Sequence, residues 1–535
     1  MNEAPENVRL IGGEMLLWSD MSNMGGITDW RGAALELINR MIPESGRVLL
    51  VGPHPQLLVD DVVARAPTAA VLLRSYPDAC ALGERHPELE VFCGRLEVFH
   101  AEEPYDLVLA LDGLSRTHSA EAPAAAWIES LDALAALVAP GGRLALGVRN
   151  DLGVDRFLEA RPADREGADD QWAPHGFDPS YPSGPGALDG GLESAGLSVQ
   201  RCYAAYPGRQ APRALLAREA LAFDLPEALT FPLSARGGDR MLVADPLRLT
   251  RLVFRHRLGE ELAPLWLAVA TRPPHHDPAE EEGLPLGLIE EGAALYELTH
   301  TGTRRLPDGE ERPIPAGRVV EEILVEACAR EDVRTVRELL ADLATWLEAG
   351  GGVSAATDSL VYDGERFAAI SPAAPPATTP EPRVVLCRIL WRFAVRLLAA
   401  GHHHPWPWPL EADQLTLTLC GMADRPCDPG DLDLARKLDA ELGQPAELAE
   451  QAPTYRDLLG SRDRLADQLT AALARISRLE TKLSYREREL VRAKAKLRRT
   501  QRKATAYRRT LGYRLSRRLA RPRKVARRFI RLLSG

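Results

Sequence analysis

Residues that can bind or activate a small ligand follow two apolar runs in the first third of the chain. Val51 is followed by Gly52 and, two residues later, by His54, while Leu111 is followed by Asp112. Glycine lets a ligand approach the backbone closely, because it lacks a Cβ atom and permits positive φ. If these runs are parallel strands, their carboxyl ends share one edge of a sheet, where ligands bind. We therefore predict a ligand crevice that includes Gly52 and Asp112.

Two histidines fall near this predicted crevice and are candidates for proton transfer. The imidazoles of His54 and His118 titrate close to neutral pH, so either can act as a general base toward an acceptor group. The alternative is that each is a partly exposed loop residue. No metal site is predicted: His402 to His404 are interpreted as an exposed loop, and Cys420 and Cys427 have no histidine close in sequence.

The elements that must position these residues alternate strand-like and helical stretches. The apolar runs are rich in Val and Leu, and amphipathic patterns such as residues 124–137 separate them. This alternation predicts a parallel sheet covered on both faces. The predicted strands are residues 47–51, 70–73, 107–111, 143–148 and 197–203. We predict an α/β domain with a Rossmann-like sheet over residues 1–215.

A second domain, of the α+β class, is predicted over residues 216–450. Residues 245–258 and 265–271 fit either strand or helix, and the Pro-rich residues 371–382 are interpreted as a loop. Helices are predicted at 318–329, 333–349 and 383–400, together with a hairpin over 359–370 that turns at Asp363–Gly364.

Residues 455–500 carry the pattern of a coiled coil. Apolar residues recur every seven positions, without Gly or Pro between them, at Leu469, Ile476, Leu483, Leu490 and Leu497. A homo-oligomer or a partner helix would cover this stripe. The alternative is one long helix packed against the body of the protein.

Charge is distributed unevenly along the chain. The whole chain has 66 Lys and Arg against 76 Asp and Glu, but residues 454–535 have 26 against 6. Residues 501–535 combine these cations with Phe529, Ile530, Leu532 and Leu533, which predicts a basic amphipathic tail on an anionic membrane surface. Nucleic acid is a rival partner, disfavoured by the apolar residues grouped at the end of the tail, and a solvated tail is the third alternative. Pro522 divides the tail into two helical stretches.

The bulk composition is that of an intracellular globular protein. Seven cysteines are scattered without a C-x-x-C pair, which indicates a reducing compartment rather than a disulfide framework. Three arginines interrupt the most apolar stretch, residues 384–400, which argues against a membrane span. The first ten residues are acidic and lack an apolar core, so no secretory signal is predicted. We expect a cytoplasmic protein, peripheral to the inner face of the cytoplasmic membrane.

Several motifs resemble class I S-adenosylmethionine-dependent methyltransferases. Residues 105–111 match the fourth-strand signature of the family, and residues 137–144 match its L-x-x-P-G-G-x-L turn before the fifth strand. In the glycine motif after the first strand only Gly52 is retained, because His54 and Gln56 replace glycines and Leu50 replaces an acid. The resemblance implies a Rossmann-like fold and S-adenosylmethionine as cofactor.

The same resemblance assigns further residues to the cofactor site. Arg74 stands where the family offers a carboxylate to the ribose hydroxyls, and Asp78, four residues on, is a substitute. Asp106 and Asp112 would line the crevice. The altered glycine motif and Arg74 also favour an alternative, a catalytically inactive relative that recruits glycan-assembly enzymes through its coiled coil.

A narrower resemblance is to bacterial methyltransferases of surface-polysaccharide synthesis. Asn150, Leu152 and Gly153 match an E-N-x-L-G element after strand five, and Asp169-Asp170 and Trp172 follow. The domain order resembles bifunctional O-antigen chain terminators, which have a kinase as middle domain, then a coiled coil and a membrane-binding end. Residues 220–450 lack the kinase motifs, so we interpret the middle domain as a degenerate, inactive kinase-like domain. The resemblance implies methylation of a sugar or glycan intermediate.

Overall fold

The computed structural model describes most of the chain. The described residues are 4–21, 27–119, 123, 125–158, 178–222, 233, 246–273, 283–291, 294–307, 309–369, 380–399, 402–407, 410–442 and 455–519. The predicted features at Asp169-Asp170 and Trp172, most of the 371–382 loop and the tail beyond residue 519, with Pro522, lie outside them.

Strands are numbered in chain order. They are β1 (Val8–Gly12), β2 (Arg47–Val51), β3 (Thr68–Leu73), β4 (Glu90–Gly94), β5 (Tyr105–Ala110), β6 (Val138–Arg149), β7 (Ser198–Tyr206), β8 (Ala214–Ala217), β9 (Leu265–Thr271), β10 (Gly287–Glu291), β11 (Ala294–Leu298), β12 (Thr303–Arg305), β13 (Glu311–Arg312), β14 (Arg318–Val319), β15 (Leu360–Tyr362) and β16 (Phe367–Ala369).

Helices are numbered in the same way. They are α1 (Ala33–Met41), α2 (Gln56–Arg65), α3 (Tyr76–Arg85), α4 (Trp127–Ala136), α5 (Val154–Leu158), α6 (Pro185–Ser194), α7 (Arg218–Leu221), α8 (Pro246–Arg255), α9 (Val320–Ala329), α10 (Val333–Glu348), α11 (Pro382–Ala399), α12 (Ala412–Met422), α13 (Pro429–Glu441) and α14 (Tyr455–Arg509).

The first thirteen strands form one sheet, in the order β1-β4-β3-β2-β5-β6-β9-β7-β8-β10-β11-β12-β13. The strands from β1 to β6 are parallel to their neighbours, while β9 runs antiparallel between β6 and β7. Counted from β2, the order β4-β3-β2-β5-β6 is the 3-2-1-4-5 order of a doubly wound sheet. The predicted α/β class with a Rossmann-like sheet is confirmed.

The central strands are buried on both faces, as their continuous apolar sequences predict. Leu49 and Val51 of β2 pack into one hydrophobic core, whereas Val48 and Leu50 point to the opposite face and pack into another. Successive strand side chains alternate between faces, so a strand with two apolar faces must lie inside the sheet. This places the residue after β2, Gly52, at the centre of the sheet edge.

The sheet extends past residue 215, where the sequence predicted the first domain to end. Strand β9 pairs with β6 over residues 143–149 and with β7 over residues 198–205, so it lies inside the sheet. Its seven residues are all buried. The sequence left 265–271 open between strand and helix because a short, fully apolar run shows neither period.

Helices α9 to α13 and the small sheet β14-β15-β16 enclose a separate hydrophobic core. The hairpin predicted at Asp363–Gly364 joins β15 to β16. Helix α11 contains buried Arg388 and Arg392, which both bond the Asp439 carboxylate, at 2.8 and 3.0 Å. Two arginines of this helix thus share one carboxylate inside the protein. Within the described residues, no helix has the length and apolarity to cross a membrane.

The C-terminal part consists of helix α14 and a further helical stretch at 511–519. The side chains of the heptad residues are at least half exposed: Leu469 61%, Ile476 50%, Leu483 62%, Leu490 53% and Leu497 59%. A stripe of this kind is an interaction surface when it is not buried in its own chain. The coiled coil itself remains a prediction.

Candidate functional site

The carboxyl ends of the central parallel strands meet at one edge of the sheet. Gly52 follows β2, Arg74 follows β3, Asp112 lies just beyond β5, and Asn150 follows β6. Strand order puts Gly52 between Arg74 and Asp112 along this edge. The structure therefore brings together three of the residues that the sequence assigned to the crevice.

Gly52 adopts the conformation for which glycine was expected. Its φ is +84°, and its amide donates to the carbonyl of Leu72 at 2.9 Å, which continues the pairing of β2 with β3. A Cβ atom built on Gly52 would have the Thr117 Cγ2 atom, at 3.8 Å, as its closest contact. The backbone turn thus leaves room for a ligand to approach, and the Thr117 methyl group is its nearest side-chain neighbour.

His54 joins two strands instead of facing a substrate. Its Nδ1 atom lies 2.9 Å from the Gly52 carbonyl, and its Nε2 atom accepts from the Leu111 amide at 3.4 Å. Burial lowers the pKa of His54, so the ring is neutral and carries its proton on Nδ1. Both nitrogens are used within the protein, which contradicts the predictions of a catalytic base and of an exposed loop histidine.

Arg74 is held by an acid that the sequence did not single out. Its guanidinium donates to both carboxylate oxygens of Asp20, at 2.6 and 2.9 Å, and to the His118 carbonyl at 3.0 Å. Asp20 is 3% exposed. Burial opposes ionisation of this carboxyl, but the hydrogen bonds from Arg74 and Trp18 keep its pKa below the usual range. Arg74 therefore clamps the N-terminal segment to the loop after β5.

Asp78 serves the same N-terminal segment. Its carboxylate accepts from the Ser19 hydroxyl at 2.6 Å and from the Asp20 amide at 2.8 Å. Helix α3, which contains Asp78, begins with Ser75 as N-cap. The predicted role of Asp78 as a ribose ligand does not fit these contacts, because its acceptor oxygens are already used within the chain.

Asp106 lies at the opposite edge of the sheet, and its assignment to the crevice is wrong. It is the second residue of β5, and its carboxylate accepts the Arg47 amide at 2.8 Å at the amino end of β2. The motif match placed the strand correctly, but only residues after its carboxyl end face the crevice.

Asp112 is the acid that the strand does present to the crevice. It is 4% exposed, and its Oδ1 atom accepts from the Thr28 amide at 3.3 Å. Arg149 and Arg116 lie 3.8 and 4.0 Å from its carboxylate oxygens. The Oδ2 atom is buried and makes no hydrogen bond among the described residues.

The loop from Asp112 to Ser119 closes over the strand ends. The Thr117 carbonyl accepts from the Leu96 amide at 2.9 Å, and the His118 carbonyl accepts from Arg74. The Nδ1 atom of His118 is buried and has no hydrogen-bond partner in the described part of the chain. The Oδ2 atom of Asp112 and the Nδ1 atom of His118 are thus both buried without a hydrogen bond from the described residues.

Sequence reasoning missed Asp20, Thr28 and Thr117, which fill the space over the strand ends. They belong to no motif, and the first two lie far before β2 in the chain. Only Thr117 lies in a loop that follows a predicted strand, and no sequence signal marked Asp20 or Thr28.

Comparisons with known proteins give structural likenesses only. No family model matches the sequence, and no curated protein matches it. The solved structures similar to the chain include N-methyltransferase NodS from Bradyrhizobium japonicum WM9 with S-adenosyl-L-homocysteine, at 12% identity over 45% of this chain and 85% of that chain, with a TM-score of 0.25.

Two further solved structures match a similar share of the chain. A putative methyltransferase in complex with the Haloferax volcanii Trm112 activator is 15% identical, covering 46% of this chain and 90% of that chain, with a TM-score of 0.28. A TehB-like S-adenosylmethionine-dependent methyltransferase from Corynebacterium glutamicum is 12% identical, covering 45% and 86%, with a TM-score of 0.23. The fold assignment rests on the strand order of the sheet.

Proposed function

We propose that this chain is an S-adenosylmethionine-dependent methyltransferase acting on a sugar or glycan intermediate of surface-polysaccharide synthesis. The observation that carries the proposal is the pair of buried, unsatisfied polar atoms, Asp112 Oδ2 and His118 Nδ1, at the carboxyl edge of a Rossmann-like sheet. Leaving a buried polar group unsatisfied costs about 1–3 kcal/mol. A polar ligand that reaches both groups would recover that free energy.

The sheet topology agrees with the fold that this activity implies. An antiparallel strand, β9, lies between β6 and the parallel strand β7, beside the doubly wound part of the sheet. The motifs at residues 105–111 and 137–144 fall on β5 and on the turn into β6. Topology and motifs thus assign the same segments of the chain to the fourth and fifth strands of the doubly wound sheet.

Within the crevice, Gly52 and Asp112 fit the cofactor, whereas the other predicted residues do not. Gly52 offers a side-chain-free turn at the strand end, and Asp112 offers a carboxylate oxygen, Oδ2, that accepts no hydrogen bond from the described residues. When bound, S-adenosylmethionine supplies an activated methyl group on its sulfonium. Methyl transfer can depend on positioning alone, so it does not require His54 to act as a base.

We propose that the loop from Asp112 to Ser119 opens when the cofactor binds. The Thr117 methyl group lies close to Gly52, and Arg74 donates to the His118 carbonyl. A lid of this kind excludes water from a reacting centre once the substrates are in. We propose that the contacts of Arg74 set the free energy of opening.

The acceptor and the membrane site rest on the sequence resemblance and on the tail. Residues 498–518 place Arg498, Arg499, Arg502, Lys503, Arg508, Arg509, Arg514, Arg517 and Arg518 on exposed helical positions. Such a helix fits an anionic lipid surface, where polysaccharide intermediates are assembled. We propose that α14 spaces the catalytic domain from the membrane and oligomerises through its leucine stripe.

The closed crevice favours a second candidate, a catalytically inactive scaffold. Asp20, Thr117 and His54 are engaged within the chain at the strand ends, by Arg74, Gly52 and Leu111 respectively. If these contacts are permanent, the sheet domain only displays the coiled coil and tail to partner enzymes.

Calorimetric titration of the full chain with S-adenosylmethionine separates the two. The methyltransferase is expected to bind with a dissociation constant in the micromolar range. An Arg74→Met variant, in which the loop is released, should bind more tightly than the wild type. Absence of binding by both proteins at millimolar ligand would overturn the methyltransferase and support the scaffold.

A further inference from the structure

Three cysteines converge in the helical core of residues 320–442. Cys387 lies on α11, Cys420 lies on α12, and Cys427 lies in the turn between α12 and α13. Their Sγ atoms all lie within 4.8 Å of one another. This cluster is remote in sequence from every residue assigned to the crevice.

The turn that carries Cys427 is folded back by defined local contacts. Helix α12 ends at Met422, Asp424 adopts a left-handed conformation with φ 55°, and the Arg425 amide donates to the Cys420 carbonyl at 3.1 Å. This reversal returns the chain to the end of α12. Asp428 then caps α13, so Cys427 is fixed between two helix termini.

A salt bridge from a neighbouring helix holds the same turn. The Arg425 guanidinium bonds the Glu348 carboxylate of α10 with both Nε and Nη2, at 2.5 and 2.9 Å. The position of Cys427 is therefore set before any ligand binds.

Packing alone explains Cys387 and Cys420 but not Cys427. A buried cysteine behaves as a small apolar residue, as does Cys328 in the same core. Cys427 is only half-buried, and its Sγ atom contacts two carbonyl oxygens, of Arg425 at 3.6 Å and of Arg383 at 3.9 Å. Its sulfur thus faces polar groups and solvent on one side and two thiols on the other.

We propose that Cys387, Cys420 and Cys427 bind a thiophilic d10 metal ion of the Zn(II) or Cu(I) class. A zinc–sulfur bond is about 2.3 Å long, so three thiolates around one ion lie about 4 Å apart. The observed sulfurs need to move by less than an ångström to reach that spacing. Soft thiolate ligands select these ions over Mg(II) or Ca(II).

Metal binding at this cluster is coupled to the loss of protons. Each coordinating thiol loses its proton to solvent as its sulfur–metal bond forms. The bound ion would link α11 to the α12–α13 turn, which is a structural role.

The test is a cobalt titration of the reduced, chelator-treated full chain under anaerobic conditions. Co(II) should give a saturable thiolate-to-metal charge-transfer band at one equivalent, and Zn(II) or Cu(I) should abolish it. Competition against a chelator specific for each of these two ions then shows which ion the protein binds more tightly. Binding should also raise the temperature of thermal unfolding.

The matched variants are Cys427→Ser and Cys80→Ser, which both alter a half-buried cysteine. Cys427→Ser should weaken Co(II) binding at least tenfold, whereas Cys80→Ser should leave it unchanged. Thermal unfolding of the metal-free proteins verifies that both variants are folded. A wild-type titration without a charge-transfer band, or a band of equal strength in folded Cys427→Ser, would overturn the proposal.

Discussion

Arg74 and Asp20 form a two-bonded ion pair at the carboxyl edge of the sheet, with nitrogen–oxygen distances of 2.6 and 2.9 Å. The pair joins the segment before β2 to the residue after β3, two parts of the chain that no motif connects. It stands where the sequence resemblance implied a carboxylate for a ribose. The free energy needed to break this ion pair therefore sets how stable the closed crevice is.

Replacing Arg74 by Met should destabilise the fold by about 3–5 kcal/mol, because the Asp20 carboxylate stays buried without its partner. Urea unfolding measures this loss. The double variant Asp20→Asn with Arg74→Met should regain part of it. The matched control is Arg65→Met, which removes an exposed pair with Asp61 and should cost less than about 1 kcal/mol. Equal losses in the two single variants would contradict the assignment of Arg74 as a clamp.

His54 should make stability fall in mildly acidic solution. Burial lowers the pKa of the folded-state imidazole below its ordinary value of 6.5, so the unfolded state takes up a proton first as the pH decreases. The neutral ring therefore contributes fully to the free energy of unfolding above the pKa of the unfolded state. This contribution is lost as the pH falls toward the lower pKa of the folded state.

Urea unfolding between pH 7.5 and 5 tests this linkage. His54→Gln should show a shallower loss of stability over that range than the wild type, while His100→Gln, at an exposed position, should follow the wild-type slope. Parallel curves for the wild type and His54→Gln would refute the role given to His54.

Much of the sheet could be predicted from the sequence, because its strands are continuous apolar runs. The predictions over 47–51 and 107–111 were within one or two residues of β2 and β5. Strand β9 could not be assigned, since its partners β6 and β7 lie before it in the chain and only the assembled sheet shows where it inserts.

The site was less predictable than the fold. Gly52 and Asp112 were found because strand ends mark the crevice edge, and Asp106 was misplaced because the motif extends to the other end of the strand. The roles of Asp20 and Cys427 depend on tertiary contacts with Arg74 and Cys387, which sequence spacing does not encode.

The leucine stripe of α14 should drive self-association. Ile476→Glu places a charge in the predicted seam and should shift the full chain toward monomer in light-scattering chromatography. Ser477→Glu adds the same charge one position away, outside the stripe, and should preserve the oligomer. If the wild type is monomeric, the stripe belongs to a partner helix instead of a second copy.

The basic tail should bind anionic lipid. Deleting residues 500–535 should abolish flotation of the chain with phosphatidylglycerol-containing vesicles, and high salt should weaken flotation of the wild type. Vesicles of neutral lipid serve as the control. Undiminished flotation of the deletion variant would show that the membrane contact lies elsewhere. Tighter binding of the wild type to RNA than to vesicles would show that the tail binds nucleic acid instead of lipid.

The most direct test of the methyltransferase account compares substitutions of two aspartates near opposite ends of β5. Asp112→Asn removes the charge that faces the crevice, whereas Asp106→Asn makes the same change at the opposite edge of the sheet. Calorimetry should give a dissociation constant for S-adenosylmethionine raised about tenfold or more in Asp112→Asn, as loss of a charged hydrogen bond implies, and unchanged in Asp106→Asn. Equal affinities in both variants, or no binding by the wild type, would contradict the account.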